Sequence, residues 1–405
     1  MTTPIKFGLK ANWKQFTLLV IVNAFVGGMV GLERSILPNF AHEIFGIQSK
    51  TAILSFIIAF GISKAFTNYF TGKLVNQYGR KSILLIGWLI AIPIPFLLIY
   101  APTWNWVTFA NVLLGISQGI TWSTTILMKI DLVGEKDRGF AMGLNEFAGY
   151  LAVGLASFLS SYLAGKYGFT PYIFYLGVLM SVSGFMISFW AVNDTQEFVN
   201  AESRLVVSKS SNNSHHIFLE TTFKNKTLSA VTQAGLVNNL NDGMMWGILP
   251  VFLFSLKFSA YDVGLITAIY PMVWGISQVF TGKLADIYHK KRILFLGMFL
   301  QGLVILVMPF MDDFISLFSL AALLGLGTAL VYPTFIATIA QVSHPKERAE
   351  SIGIFRLWRD LGYAFGAIVS GIVADFLGIN YAIIIVGILT VLSAVIIGVR
   401  MKSNF

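Results

Sequence analysis

Long apolar runs alternate with short polar ones along most of this chain. Twelve such runs lie near the roughly 20 residues that a helix needs to cross a bilayer. They span 15–38, 51–71, 82–101, 106–130, 140–164, 172–192, 228–254, 262–281, 292–309, 315–340, 350–376 and 380–399. The pattern predicts an all-α membrane protein with twelve transmembrane helices. Only one hydrophilic stretch is long, residues 193–227, with room for a short surface helix. It divides the chain into a six-segment N-terminal half (1–192), a linker and a six-segment C-terminal half (228–405). His215 and His216 lie in that linker, where a solvated pair is expected and not a metal site.

The two halves repeat one another. Phe70–Leu74 and Phe280–Leu284 both read FTGKL, 210 positions apart. At the same offset Leu113-Leu114-Gly115 meets Leu323-Leu324-Gly325, Arg138 meets Arg348, and Gly143 meets Gly353. At an offset of 212, Gly31 meets Gly243 and Ile36-Leu37-Pro38 meets Ile248-Leu249-Pro250. Six crossings per copy is an even number, so both copies enter from the same side and their symmetry axis runs along the membrane normal.

Composition agrees with the pattern. Charged residues are 12% of the chain, against about 25% in a soluble domain. The absence of cysteine excludes disulfides, thiolate metal sites and cysteine nucleophiles. The net charge of +9 would suggest nucleic acid were it not for its placement. Twenty Lys and Arg flank one side of the predicted membrane, and only Lys50, Lys166 and Lys257 flank the other. By the positive-inside rule, both termini and the linker are expected in the cytoplasm. A multi-pass protein of a prokaryotic plasma membrane is the corresponding expectation, with no nucleic-acid partner.

The loop after the second segment reads Gly72-Lys-Leu-Val-Asn76-Gln-Tyr-Gly79-Arg80-Lys81, and its repeat reads Gly282-Lys-Leu-Ala-Asp286-Ile-Tyr-His289-Lys290-Lys291. With two six-helix halves and a cytoplasmic linker, this resembles the major facilitator superfamily across essentially the whole chain. The family pattern is Gly-x-Leu-x-Asp-x-x-Gly-Arg-Lys. Asn76 departs from it in the first copy, and His289 replaces the second glycine in the other. The resemblance implies a gate loop made by Gly72, Asn76, Gly79, Arg80, Lys81, Gly282, Asp286 and Lys290. Glycine permits the tight reversal, and the cations can hold opposing carboxylates or linker backbone.

The resemblance further implies alternating access around a mid-membrane cavity lined by segments 1, 4, 7 and 10, with 2 packed on 11 and 5 on 8. Polar and aromatic candidates for substrate binding on those segments are Asn23, Gln118, Trp122, Thr125, Asn238, Asn239, Trp246 and Tyr332. Each is also able to serve as packing or as a helix–helix hydrogen bond.

Charges inside the segments cost about 2.5–3.5 kcal/mol each at a helix centre, which marks them for function. They are Glu33, Arg34, Lys64, Glu146, Asp242, Arg356, Arg359 and Asp360, read as proton-coupling or gating charges. Glu146 is the first choice for proton coupling because no sequence neighbour neutralises it; Asp360 is second. Counting at about 1.5 Å per residue puts Glu33 and Arg34 near the outer interface. Lys129 and Asp131 fall at the cytoplasmic edge as interface anchors. The same count brings Lys64 level with Asp360, predicting a charge pair across the halves in one access state, with Arg356 holding Asp360 in the other. An Arg356–Asp360 pair within one helix, with Lys64 reaching to the cytoplasmic surface, is the structural alternative.

All five histidines fall in loops without metal-ligand spacing, and no phosphate-binding loop occurs. A non-enzymatic secondary active transporter is expected, moving a small organic solute by alternating access, coupled to protons, without metal or cofactor, and as a monomer in the lipid bilayer. The intramembrane cations suggest an organic anion. A drug or metabolite exporter, a lipid flippase of the same fold and a non-transporting sensor are the alternatives. The helix-5 pattern of drug/proton antiporters, Gly-x-x-x-Gly-Pro-x-x-Gly-Gly, is absent from 143–164, against an antiporter of that type.

Overall fold

The computed structural model describes residues 6–133, 138–203, 214–342 and 348–402. Among them every regular element is helical. The N-terminal half contains α1 (Trp13–Arg34), α2 (Ser55–Tyr78), α3 (Arg80–Ala91, resuming at Pro93–Ile99), α4 (Trp104–Val133), α5 (Arg138–Tyr167) and α6 (Tyr172–Trp190). The C-terminal half contains α7 (Lys226–Ser255), α8 (Ala260–Ile287), α9 (Lys290–Val307), α10 (Phe314–Val342), α11 (Arg348–Leu377) and α12 (Ile379–Arg400). Between the halves lie helices Gln196–Ser203 and Ser214–Leu219 and one π turn, Glu220–Lys224. The linker thus carries more helix than the single short one its sequence suggests.

Nine helices among the described residues are apolar enough over a full crossing to be recognised by hydropathy alone. The other three, α2, α4 and α7, have 24, 30 and 30 residues, and about 1.5 Å per residue spans a ~30 Å core. Their lower hydropathy reflects the Asn, Gln, Thr, Lys and Asp side chains that they turn inward.

The halves meet along two seams, α5 against α8 and α2 against α11. Small residues allow the approach. A Cβ at Gly154 would strike Met272, and one at Gly61 would lie 2.8 Å from the Tyr363 side chain and 2.9 Å from Ala364 nitrogen. Close packing of this kind drives helix association where lipid removes the hydrophobic incentive. Within the N-terminal half, α1 lies on α5 and α4 on α2; within the C-terminal half, α7 lies on α11 and α10 on α8.

On the side of the bundle away from the N-terminus of α1, the chain continues after a short break as helix Leu37–Phe45, which closes over the bundle against α7. A short helix, Lys50–Ile53, then leads into α2. Asp375, near the end of α11, accepts hydrogen bonds from the Ser49 hydroxyl (2.8 Å) and from the backbone amides of Lys50 and Thr51 (3.0 Å for Thr51). One half therefore completes a helix start in the other.

Candidate functional site

Seven buried charged side chains crowd the end of α1, the interior of α2, α5 and α7 and the facing part of α11: Glu33, Arg34, Lys64, Glu146, Asp242, Arg359 and Asp360. Glu33 accepts from Asn111 Nδ2 at 2.7 Å. Glu146, 2% exposed, accepts from Trp122 Nε1 at 3.0 Å and from Asn145 Nδ2 at 3.1 Å. Asp242 accepts from the Tyr270 hydroxyl. Asp360 accepts from Asn68 Nδ2 at 2.5 Å across the seam, with Arg359 Nε 4.0 Å away. Neutral donors thus hold one oxygen of each carboxylate, while Glu146 Oε2, Asp242 Oδ2 and Asp360 Oδ1 are buried without a hydrogen bond among the described residues.

The cations are solved by aromatic faces. The Arg34 guanidinium lies 4.4 Å from the Phe60 ring centroid and 4.6 Å from that of Trp246. Lys64 Nζ lies 5.3 to 5.5 Å from the centroids of Phe60, Trp122 and Tyr363. Arg359 stacks 4.4 Å over Tyr332, donates to its hydroxyl at 3.0 Å, and reaches Asn239 Oδ1 (3.3 Å) and the Tyr150 hydroxyl (3.5 Å). Tyr150 belongs to the other half and stacks on Trp274 with centroids 3.6 Å apart. Arg359 and this stack together make a knot that joins the halves at mid-membrane.

A second network stays inside the N-terminal half. Lys129, 1% exposed, donates to Asn145 Oδ1, while Asn145 Nδ2 serves Glu146. Asn23 donates to the Asn145 carbonyl at 2.7 Å and accepts from the Thr125 hydroxyl at 3.0 Å. One asparagine therefore separates a buried ammonium from a buried carboxylate.

The description "Major Facilitator Superfamily" belongs to the family model that matches residues 18–230 and 231–403. The chain belongs to the major facilitator superfamily. Among its relatives is the proton-coupled antiporter flippase LtaA of Staphylococcus saprophyticus, 25% identical over 378 residues, covering 90% of this chain and 88% of that protein. The protein of the same name from Staphylococcus epidermidis is 23% identical over 373 residues, with coverages of 90% and 88%. The solved structure of the human organic anion transporter MFSD10 (TETRAN) overlays with a TM-score of 0.68 at 16% identity, covering 95% of this chain and 99% of that one. This chain is accordingly a multi-pass membrane protein and a secondary transporter of the superfamily fold.

The loop between α2 and α3 takes a definite form in the N-terminal half. Gly79 turns the chain between α2 and α3 with φ +84°, where a side chain would be strained. Arg80 is buried and donates to Asp131 Oδ2 (3.1 Å), Gln196 Oε1 (2.5 Å) and the Val75 carbonyl (3.3 Å). Asp131 also accepts from Thr195 Oγ1 at 2.6 Å, and Asp194 accepts from the Lys81 amide at 2.8 Å. Arg80 therefore grips its own half and the linker. In the C-terminal half Lys290 begins α9, and it is Lys291 that ties down the chain end, donating to the Met401 carbonyl at 2.7 Å. A Cβ at Gly282 would meet nothing within 4 Å among the described residues. Gly72 lies within α2; the side chains of Asn76 and Asp286 fall outside the described residues.

Several sequence expectations change. Glu33 and Arg34 are not at the outer interface, because the chain continues outward as helix Leu37–Phe45 and covers them. Lys129 and Asp131 are not interface anchors: Asn145 takes the first and Arg80 the second. Glu146, free of neighbours in sequence, has Lys129 one amide away. The Lys64–Asp360 contact is not made here, since Asn68, one turn along α2, meets the carboxylate instead. The structural alternative also fails in this conformation. Lys64 is caged at 7% exposure, and Arg356 Nη1 crosses the halves to Ser123 Oγ at 3.3 Å.

Among the lining candidates, Gln118 donates to the Val26 carbonyl at 2.7 Å and so clamps α4 to α1. Trp246 stacks on Tyr363 with centroids 4.9 Å apart. Asn238 approaches Asn239 Oδ1 at 3.4 Å. Asn68, Asn111, Asn145, Tyr150, Tyr270, Trp274 and Tyr363 were not singled out from sequence. The one available signal was that polar and aromatic residues recur at helical spacing opposite the intramembrane charges.

Proposed function

We propose that this protein is a proton-coupled secondary transporter that carries an organic anion by alternating access, with Glu146 as the protonation site. The observation that carries this reading is the placement of Glu146. It is a carboxylate buried in the membrane, one Oε bound by neutral donors and the other, Oε2, without a partner. A proton on Oε2 would remove the buried charge, and its loss would restore it beside Lys129. Intramembrane cations on α1, α2 and α11 supply the attraction for an anion. The rocking units are the halves 1–192 and 228–405, linked through 193–227, and the working form is a monomer. Both termini and the linker face the cytoplasm of a prokaryotic cell, as the distribution of basic residues favours, and no catalytic step belongs to the cycle.

Reconstituted protein with a pH gradient tests this. Glu146→Gln should reduce gradient-driven flux to background while solute exchange without a gradient continues. Gradient-driven flux that survives the substitution would make Glu146 structural.

A second reading has its own support, because the curated relatives above are named as proton-coupled antiporter flippases. The cargo would then be a membrane lipid whose head enters between the halves. Translocation of a head-group-labelled lipid in proteoliposomes under a proton gradient separates this reading from carriage of a soluble anion.

A further inference from the structure

Arg34, Phe60, Lys64, Tyr363 and Trp246 form a closed ring of cations and aromatic faces. Arg34 lies over Phe60 and Trp246, Lys64 lies over Phe60 and Tyr363, and Trp246 stacks on Tyr363. Arg34, Phe60 and Lys64 come from one half, and Trp246 and Tyr363 from the other.

Among the described residues neither cation has a hydrogen-bond acceptor. All three guanidinium nitrogens of Arg34 are buried without a partner, at 2% exposure of the residue. No hydrogen bond or ion pair of Lys64 occurs among the described residues. Buried polar groups are nearly always paired, and aromatic faces offset only part of what an ammonium or guanidinium loses on leaving water. The nearby acids do not close the gap: Glu33 is held by Asn111, Glu146 by Trp122 and Asn145, Asp242 by Tyr270, and Asp360 by Asn68, and the oxygens these leave over, Glu146 Oε2, Asp242 Oδ2 and Asp360 Oδ1, hydrogen-bond neither cation among the described residues. Two donors-only side chains sharing one ring is the arrangement of a site that lacks its acceptor.

We propose that Arg34 and Lys64 together form an oxyanion site, shut between the halves in this conformation, that takes the phosphate-type group of the cargo. The inference rests on the transporter reading and names the chemistry of its anion. A planar fork and a point charge that share the Phe60 ring suit a group with several oxygens, where a carboxylate would leave donors unused. Arg34 borders a cavity of about 10 Å³ together with Ser157, Trp246, Thr267 and Tyr270. That volume admits at most one water. The anion must therefore enter when Trp246 and Tyr363 withdraw with their half, and on closing the same two rings seal it from solvent.

Phosphate chemistry has two sources, a lipid head group or a soluble organic phosphate. The test is thermal unfolding of the full chain in two settings. One titrates inorganic phosphate into detergent-purified protein. The other compares nanodiscs of phosphatidylcholine with and without phosphatidylglycerol. The melting temperature of the unmodified protein should rise in at least one setting, and the setting in which it rises names the source. In Arg34→Met and Lys64→Met the apparent affinity should fall at least about tenfold, whereas Lys166→Gln, at an exposed lysine, should respond as the unmodified protein does. Both Met variants should also melt no lower than the unmodified protein without ligand, because no acceptor is orphaned by their removal. A marked drop in that ligand-free value, or failure to fold, would make the cations structural and overturn the proposal. So would an unmodified protein indifferent to both probes, or variants that still respond. A protein that ignores both probes yet still carries gradient-driven flux through Glu146 fails this inference alone.

Discussion

At the scale of single residues, depth and company were legible to different degrees. A charge in an apolar run stands out against its neighbours, but counting along a helix put Glu33 and Arg34 at an interface and Lys129 at an edge, where the structure buries all three. Nor did counting identify partners, since those lie on other helices at angles that one strand of sequence does not encode. Lys64 and Asp360 illustrate the difference: their depths match, but Asn68 stands one turn away and reaches the carboxylate first. The exchange Lys64→Asp with Asp360→Lys is therefore expected to transport no better than either single variant, measured as initial flux. Arg80 and Asp131 behave in the opposite way, as a buried pair with a 3.1 Å contact that carries further hydrogen bonds. Removing one partner of such a pair costs about 3–5 kcal/mol, so Arg80→Ala should melt well below the unmodified protein. Asp131→Asn keeps the acceptor for Thr195 and should lose less.

At the scale of elements, hydropathy recovers the helices that face lipid and blurs those that face the cavity. The segments at 106–130 and 228–254 were predicted by length, and their helices extend to Val133 and begin at Lys226 because capping and tail contacts lengthen them. Asn225 accepts from the amides of Thr227 and Leu228, and Gly8 donates to the Leu132 carbonyl at 3.0 Å. The outer helix starts differ in a way that sequence alone did not reveal. The start of α8 carries its own capping box, Ser259 with Asp262. The start at Lys50 uses Ser49 for one amide and borrows Asp375 of the other half for two more. Asp375 should therefore act as an outer latch. A cysteine at Thr51, in this cysteine-free chain, should react faster with an impermeant maleimide from outside once Asp375 is changed to Ala. Unchanged reactivity would leave the contact without a gating role.

At the scale of the whole molecule, the repeat was legible in the sequence and the seams followed from the family resemblance, while the second linker helix and the closure by helix Leu37–Phe45 were not legible. Repetition survives in sequence because backbone approaches demand glycine at equivalent places, such as Gly115 against the Phe60 carbonyl and Gly325 against the Tyr270 carbonyl. Orientation belongs to this scale as well. A cysteine at Ser210, which lies outside the described residues, should resist impermeant reagent added to intact cells and react in inverted vesicles. The reverse pattern would invert the topology.

The offset of 210 that relates the copies also pairs Lys64 with Trp274, Glu146 with Arg356, and Tyr150 with Asp360. Backbone, small residues and helix-start cations such as Arg138 and Arg348 repeat across the two halves, while the charges buried among the helices do not. A dimer of identical units would rest equally in its two orientations, like a seesaw with matched riders. Here each tilt brings a different set of charges and rings together, and a bias of only about 1.4 kcal/mol already weights one tilt tenfold over the other. The duplicated frame makes the motion reversible, and the unmatched side chains give it a preferred resting position from which proton and cargo must lift it.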